Sequence, residues 1–155
     1  MKRPVILIWI LLLIGLGACN SGVKENDTLL SRDFLPAGWE RFDFITDTLN
    51  VKKPVTYDLS MTVTFTPEYP FDYFSTVFTV FDMEEQPLRT KSYNFKLKDR
   101  EGIWKSDLVD GCYTFTLPIN NEMAFNEPGM FVLQLENRMP ITPLVGIRHI
   151  SIRSK

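Results

Sequence analysis

The longest regular feature of this sequence is an alternation of apolar and polar side chains between Val55 and Thr66. Apolar residues occupy the odd-numbered positions and polar residues the even-numbered positions throughout this segment. Because successive side chains of a strand point to opposite faces, the pattern predicts a β-strand with one buried face and one wet face. Strands of this kind are typical of antiparallel sheets.

Other segments predict further strands. Short runs rich in β-branched and aromatic residues, bounded by Pro, Gly, Asn and Asp, cover residues 74–81, 92–97, 112–117 and 131–136, and an earlier strand is expected at residues 41–45. Residues 74–81 are apolar on both faces, which indicates a central strand. No segment after Leu30 shows a sustained helical period. We therefore predict an all-β fold, an antiparallel β-sandwich of which the jelly roll is one form.

The last predicted strand changes register at Arg148-His149, where apolar residues shift from positions 145 and 147 to positions 150 and 152. A β-bulge would restore the facing of these side chains. His149 is the only histidine, so nucleophilic triads and most zinc sites lack the partners that they need. We expect no catalytic residue, metal or cofactor, and predict that the chain is not an enzyme. A hydrolase site assembled from loops is a weaker alternative.

The N-terminal residues have the order of a secretory signal: Lys2 and Arg3, an apolar run over residues 5–14, then small residues before Cys19. The run is shorter than the roughly 20 apolar residues that span a bilayer. Leu16-Gly17-Ala18-Cys19 looks like a bacterial lipobox, in which cleavage precedes a lipidated cysteine. We predict a signal peptide over residues 1–18, palmitate-type acylation of Cys19, a polar tether over residues 19–30 and one domain over residues 31–155.

Charge and cysteine content restrict the partners. The chain carries 17 basic and 19 acidic side chains, and the predicted processing removes two of the basic ones. A mildly acidic protein without a basic cluster is a poor nucleic-acid binder. If Cys19 carries lipid, Cys112 has no partner for an internal disulfide, and we expect it to be a small buried apolar residue.

Aromatic residues are concentrated before the predicted central strand. Tyr69, Phe71 and Tyr73 surround Pro70, and Trp104 lies further along the chain. Exposed aromatics of this kind could form a partner-binding or glycan-binding surface. The alternative is that these side chains plug one end of the sandwich, because large aromatics usually serve the core.

Several short segments occur in the order found in a known lipoprotein family. They are Trp39 with Phe42-Asp43-Phe44, Tyr69-Pro70-Phe71, Leu97 and Asp99 ahead of Gly102-Ile103-Trp104, Pro128-Gly129 before Phe131, Arg138-Met139, and Leu144-Val145-Gly146-Ile147. Through them, residues from about 34 to 153 resemble the gliding-motility-associated lipoprotein family of the GldH type, found in Bacteroidetes.

The resemblance implies an outer-membrane-associated accessory lipoprotein of a motility apparatus and its linked secretion system, and it implies no catalytic residues. We therefore expect a non-enzymatic scaffold held at the membrane through Cys19, with envelope proteins as partners. Asn20 after the cysteine favours the outer membrane under the enteric sorting rule. The alternative is a glycan-binding lipoprotein that uses Tyr69, Phe71 and Trp104.

Overall fold

The computed structural model describes residues 28–154 and shows two antiparallel sheets packed face to face. The strands are β1 (Thr28–Asp33), β2 (Ile45–Val51), β3 (Val55–Phe65), β4 (Tyr73–Phe81), β5 (Pro87–Lys96), β6 (Leu108–Val109), β7 (Cys112–Phe125), β8 (Gly129–Asn137) and β9 (Ile147–Ser154). One sheet has the order β1-β9-β3-β7-β6 and the other the order β2-β8-β4-β5. The predicted all-β sandwich is confirmed.

Eight of these strands have the connectivity of a jelly roll, with the two-residue β6 as an addition. The chain crosses repeatedly between the sheets, so its connections collect at two opposite ends. One end carries the short connections 52–54, 82–86 and 126–128, and we call it the turn end. The other end, the loop end, carries the longer connections 34–44, 66–72, 97–107 and 138–146.

Most predicted strands are confirmed, but the one at residues 41–45 is wrong. The amide of Asp43 donates to the carbonyl of Glu40 at 3.3 Å, which makes a turn, and the extended chain begins only at Ile45. The strand β1 was not predicted at all. It begins at Thr28, so two of the last three residues of the segment taken as a tether, Thr28 and Leu30, pair with β9.

The predicted β-bulge is present in β9. Thr64 pairs with His149 while its neighbour Phe65 pairs with Ile147, which leaves Arg148 as the extra residue. The bulge allows Ile147 and Ile150 both to face the core. His149 lies on the outer face, where its Nδ1 is 2.7 Å from a carboxylate oxygen of Asp33 on β1.

The core between the sheets is rich in aromatic rings near the loop end. Phe65 of β3 contacts Tyr69, Phe74 and Phe115, with ring centroids 4.5, 5.7 and 6.1 Å apart. The strand β4, predicted to be central, lies between β8 and β5. Burial of each large apolar side chain contributes about 1.5 to 3 kcal/mol, so this cluster stabilises the contact between the sheets.

One glycine allows two loops of the loop end to touch. Gly146 has a φ of +80°, and a Cβ added there would lie 2.6 Å from the Cα of Tyr69. The carbonyl of the same glycine accepts a hydrogen bond from the amide of Thr66 at 2.8 Å. The loop 138–146 can therefore lie on the loop 66–72 only with glycine at this position.

Replacing Gly146 by alanine is expected to destabilise the domain more than the same change at Gly102. Both glycines have a positive φ, which costs alanine about 1 to 2 kcal/mol. A Cβ at Gly102 would have nothing within 4 Å, whereas at Gly146 it meets the backbone of Tyr69. Overpacking at this position should lower the free energy of unfolding of Gly146→Ala by about 1 to 3 kcal/mol more, and urea unfolding measures this loss. Equal losses in the two variants would contradict the close approach.

Candidate functional site

The structure brings the four sequence-predicted aromatic residues together at the loop end. Ring centroids are 5.9 Å apart for Tyr69 and Phe71, 5.7 Å for Phe71 and Tyr73, and 6.3 Å for Tyr69 and Trp104. Tyr69 is fully buried, and the other three are half-buried. The group therefore closes this end of the sandwich, as the alternative interpretation proposed.

Tyr69 acts as a core residue with one polar contact. Its hydroxyl donates to the backbone carbonyl of Tyr73 at 2.9 Å. Burial raises the pKa of the Tyr69 phenol well above its ordinary value, so the hydroxyl keeps the proton that it donates. The side chain is thus fixed by both packing and a hydrogen bond and is not available to an external ligand.

The indole ring of Trp104 is covered by two neighbouring side chains. It stacks on Tyr113 with centroids 4.3 Å apart and ring planes 11° from parallel. The ammonium of Lys98 lies 4.5 Å from the Trp104 ring centroid, in a cation–π contact. A glycan-stacking platform requires an open ring face, and these two neighbours occupy the positions where a sugar would stack.

A second feature of the loop end, not predicted from sequence as a site, is the pairing of loop 34–44 with loop 138–146. Trp39 and Leu144 exchange two backbone hydrogen bonds of 3.0 and 2.9 Å. The indole of Trp39 is fully buried, and its Nε1 donates to the carbonyl of Asp43 at 2.6 Å. The buried amide of Asn137 donates to the Trp39 carbonyl at 3.0 Å and accepts from the amide of Met139 at 3.0 Å.

Arg41 and Thr142 add a polar clamp between the same loops. The Arg41 guanidinium donates to the carbonyls of Met139 and Pro140 at 2.9 and 3.0 Å. The amide of Arg41 donates to the Thr142 hydroxyl at 3.0 Å, and that hydroxyl donates to the carboxylate of Glu40 at 2.7 Å. Residues a hundred positions apart in sequence thus form one rigid structure.

This rigid pair of loops exposes large apolar side chains. We call them the loop-end patch: Leu35, Phe42, Phe44, Ile141 and Val145. Phe42 is 82% exposed and Leu35 is 79% exposed. Within residues 28–154, eight of the eleven exposed large apolar side chains lie at the loop end, and the other three lie toward the turn end. Exposed apolar groups concentrated on one end of a domain make that end a candidate interaction surface.

The remaining predicted residues have the following positions. Cys19 lies outside the described residues. Cys112, expected to be buried, is half-buried at the start of β7, because it pairs with Val109 in the short hairpin rather than with a core strand. Among the described residues, no group of three or more His, Cys, Asp or Glu side chains is placed to hold a metal ion. No helix within residues 28–154 is long and apolar enough to cross a membrane.

The sequence signals that could have located the loop-end patch were present in the segments of family resemblance. Trp39 with 42–44, residues 69–71, 102–104, 138–139 and 144–147 all lie at the loop end, and only Pro128-Gly129 and Phe131 lie toward the turn end. The segments are scattered along the chain, and the jelly roll brings them together.

Removing the Asn137 amide is expected to loosen the paired loops. Asn137→Ala removes the partner of the Met139 amide, whereas the Trp39 carbonyl keeps its bond from the Leu144 amide, so we expect a loss of about 1 to 3 kcal/mol in the free energy of unfolding. The matched control is Asn94→Ala on the exposed strand β5, which should change stability by less than about 0.5 kcal/mol. Losses of the same size at both positions would contradict the structural role of Asn137.

Comparison with known proteins gives one match. The sequence profile described as GldH lipoprotein matches residues 30–153, which is most of the chain. No curated protein matches the chain, and no solved structure matches it either. The matched range covers all nine strands except the first two residues of β1 and the last residue of β9. The chain therefore belongs to the GldH lipoprotein family.

Proposed function

We propose that this protein is a non-enzymatic accessory lipoprotein of a cell-envelope motility or secretion machine, and that it binds an envelope protein through the loop-end patch. The observation that carries the proposal is the hydrogen-bonded pair of loops that exposes Phe42 and Leu35 at the loop end. Family membership supports the lipoprotein class and the link to gliding.

The position of β1 bears on where a lipid on Cys19 can lie. The chain enters the domain at Thr28, which is level with Ser60 at the middle of β3, and nine residue steps separate Thr28 from Cys19. Such a segment reaches at most about 30 Å when extended. The five residues from Ser60 to either end of β3 cover about 17 Å. A lipid on Cys19 can therefore lie at the turn end, which leaves the loop end free to meet a partner.

The rigidity of the loops favours binding. Ordering a mobile segment on association lowers affinity, because side chains and backbone lose conformational freedom. Here the buried Trp39, the Asn137 amide and the Arg41 clamp hold the backbone around Phe42 before any partner arrives. Large apolar side chains on a fixed backbone resemble the aromatic anchors that dominate protein interfaces.

The outer membrane is the proposed location. Asn20 follows Cys19, and in the enteric sorting rule a residue other than Asp at this position favours the outer membrane. The resemblance implies the same membrane. Two or three acyl chains on Cys19 would make the attachment effectively permanent.

Glycan binding is the second candidate function and has less support. Of the residues that would form the stacking surface, Tyr69 is buried and the ring of Trp104 is flanked by Tyr113 and Lys98. The half-buried Phe71 would be left to stack on a sugar.

The test is affinity capture of the tagged lipoprotein from gently solubilised envelopes. The wild-type protein is expected to recover motility or secretion proteins, and Phe42→Asp is expected to recover at least about tenfold less, because a buried charge opposes an apolar contact. Phe42 is so exposed that the substitution should not affect folding. Met83→Asp, at the 59% exposed Met83 of the turn end, is the matched control and should capture partners normally.

Two outcomes count against the proposal. Capture that is reduced equally by Phe42→Asp and Met83→Asp would show that the loop-end patch is not the contact. Capture of no envelope protein, together with retention on a glycan array, would favour the second candidate. A Cys19→Ser variant separates the anchor from the patch, because it should leave the membrane fraction while keeping the patch intact.

A further inference from the structure

A cleft of about 360 Å³ opens at the turn end, between β5 and the β7–β8 hairpin. Its apolar lining comes from both sheets and includes Val80, Leu88, Met123, Phe125 and Phe131, and the polar part of the lining comes from Arg89, Asn126 and Glu127. Phe125 and Phe131 pack against each other with ring centroids 4.6 Å apart. The volume falls within the range of about 300 to 1,000 Å³ that is typical of small-molecule sites.

The cleft exists because one edge of the sandwich is incompletely covered. The strand beside β7 is β6, which pairs only with Cys112 and Tyr113, so the rest of the β7 edge has no neighbouring strand among the described residues. In the middle of this edge the hydroxyl of Tyr93 on β5 donates to the carbonyl of Ile119 on β7 and joins the two sheets. Toward the turn end from this contact, the sheets are open.

A β-bulge in β5 supplies the exposed wall of the cleft. Val80 pairs with Arg89 and Phe81 pairs with Pro87, so Leu88 is the extra residue. Bulges re-aim side chains, and Leu88 lines the cleft although it is 55% exposed. The side chain of Leu88 and the apolar lining of the cleft are therefore in contact with water. An apolar molecule in the cleft would cover them.

We infer that this cleft holds one acyl chain of the lipid on Cys19, an inference that rests on the proposed lipidation. The segment between Cys19 and Thr28 contains Val23 as its one large apolar residue, so the peptide itself cannot fill the cleft. After the predicted cleavage, the acyl chains are the largest apolar groups that the segment before Thr28 carries. The aliphatic and aromatic part of the lining matches the chemistry of the acyl chains, and Arg89, Asn126 and Glu127 form the rest of the lining.

The tether is long enough for the lipid to reach the cleft. Thr28 pairs with Arg153, which pairs with Ser60, and Phe125 pairs with Val55 at the other side of β3. Three strand spacings across the sheet are about 14 Å, and five residues along β3 are about 17 Å. The direct distance from Thr28 to the cleft is thus about 22 Å, within the roughly 30 Å that the extended tether spans.

Occupation of the cleft would hold the turn end on the bilayer. A single acyl chain binds a membrane only marginally, so the other chains on Cys19 must keep the anchor in place. The acyl chain passes from the bilayer to the cleft, which are both apolar environments. The favourable free energy comes from removing Leu88 and its apolar neighbours from water. The short tether keeps the chain close to the cleft at high effective concentration. The domain would then stand on the membrane with its loop end outward.

The experiment is a titration of the mature chain, residues 19–155 with Cys19→Ser, with monomeric palmitate in an isothermal calorimeter. One palmitate per chain is expected to bind. Leu88→Asp is expected to weaken binding at least about tenfold, because it places a carboxylate in the apolar cleft. Ile103→Asp is the matched control, since Ile103 is 64% exposed at the loop end, and it should bind palmitate normally.

A second part of the experiment identifies the source of the acyl chain in the cleft. The native lipidated protein and the Cys19→Ser protein are compared in the same detergent micelles, where the native protein is expected to bind no palmitate, because its own acyl chain fills the cleft, and the Cys19→Ser protein is expected to bind it. Binding as tight as that of the Cys19→Ser protein would assign the cleft to a separate lipid and overturn the inference. Absence of binding to the Cys19→Ser protein, or equal binding by Leu88→Asp and Ile103→Asp, would also overturn it. The intact mass of the native protein reports lipidation independently, and partner capture through Phe42 is unaffected by either result.

Discussion

The buried indole of Trp39 is the contact on which the loop end depends. The backbone of Trp39 exchanges two hydrogen bonds with Leu144, and the indole Nε1 donates to the Asp43 carbonyl. The side-chain amide of Asn137 donates to the Trp39 carbonyl. These bonds join the first long loop of the domain to the last. Because buried polar groups must be satisfied, the two loops have one arrangement in which all of them find partners. The exposure of Phe42 follows from this arrangement, since the turn that orders Asp43 leaves the Phe42 side chain in solvent.

The period-two alternation of apolar residues was enough to predict the sandwich, because β3, β4 and β8 each have one face that packs on the core. The bulge in β9 could also be predicted, since the shift of apolar positions around Arg148 has no other simple explanation in a strand. The segment 41–45 alternates like a strand, yet it forms a turn, because contacts of Trp39 outweigh the local pattern. The strand β1 escaped prediction because Leu29 and Leu30 are adjacent rather than alternating.

The candidate site was only partly accessible from sequence. The aromatic segment around Tyr69 was visible, but whether it lies inside or outside depends on Gly146, which lets a loop more than seventy residues away press against it. The pairing of Trp39 with Leu144 links positions that no local pattern connects. The order of the short segments along the chain indicated the family, whereas no local pattern did. The match to the GldH lipoprotein family agrees with that order.

The two ends of the jelly roll differ in a way that suits a lipid-anchored accessory protein. The turn end has short connections and a partly apolar cleft, whereas the loop end has long, internally bonded loops and most of the exposed apolar side chains. Long loops on a rigid sandwich are the usual location of binding surfaces. We therefore propose that the turn end faces the membrane and that the loop end meets the protein partner.

The most direct measurement is site-specific photo-crosslinking in intact cells, with a photoreactive amino acid placed at position 42 or at position 83. Phe42 and Met83 are both largely exposed and lie at opposite ends of the sandwich. Discrete protein adducts from position 42 and none from position 83 are the predicted result. Protein adducts from position 83 alone, or the same adducts from both positions, would contradict the assignment of the partner to the loop end.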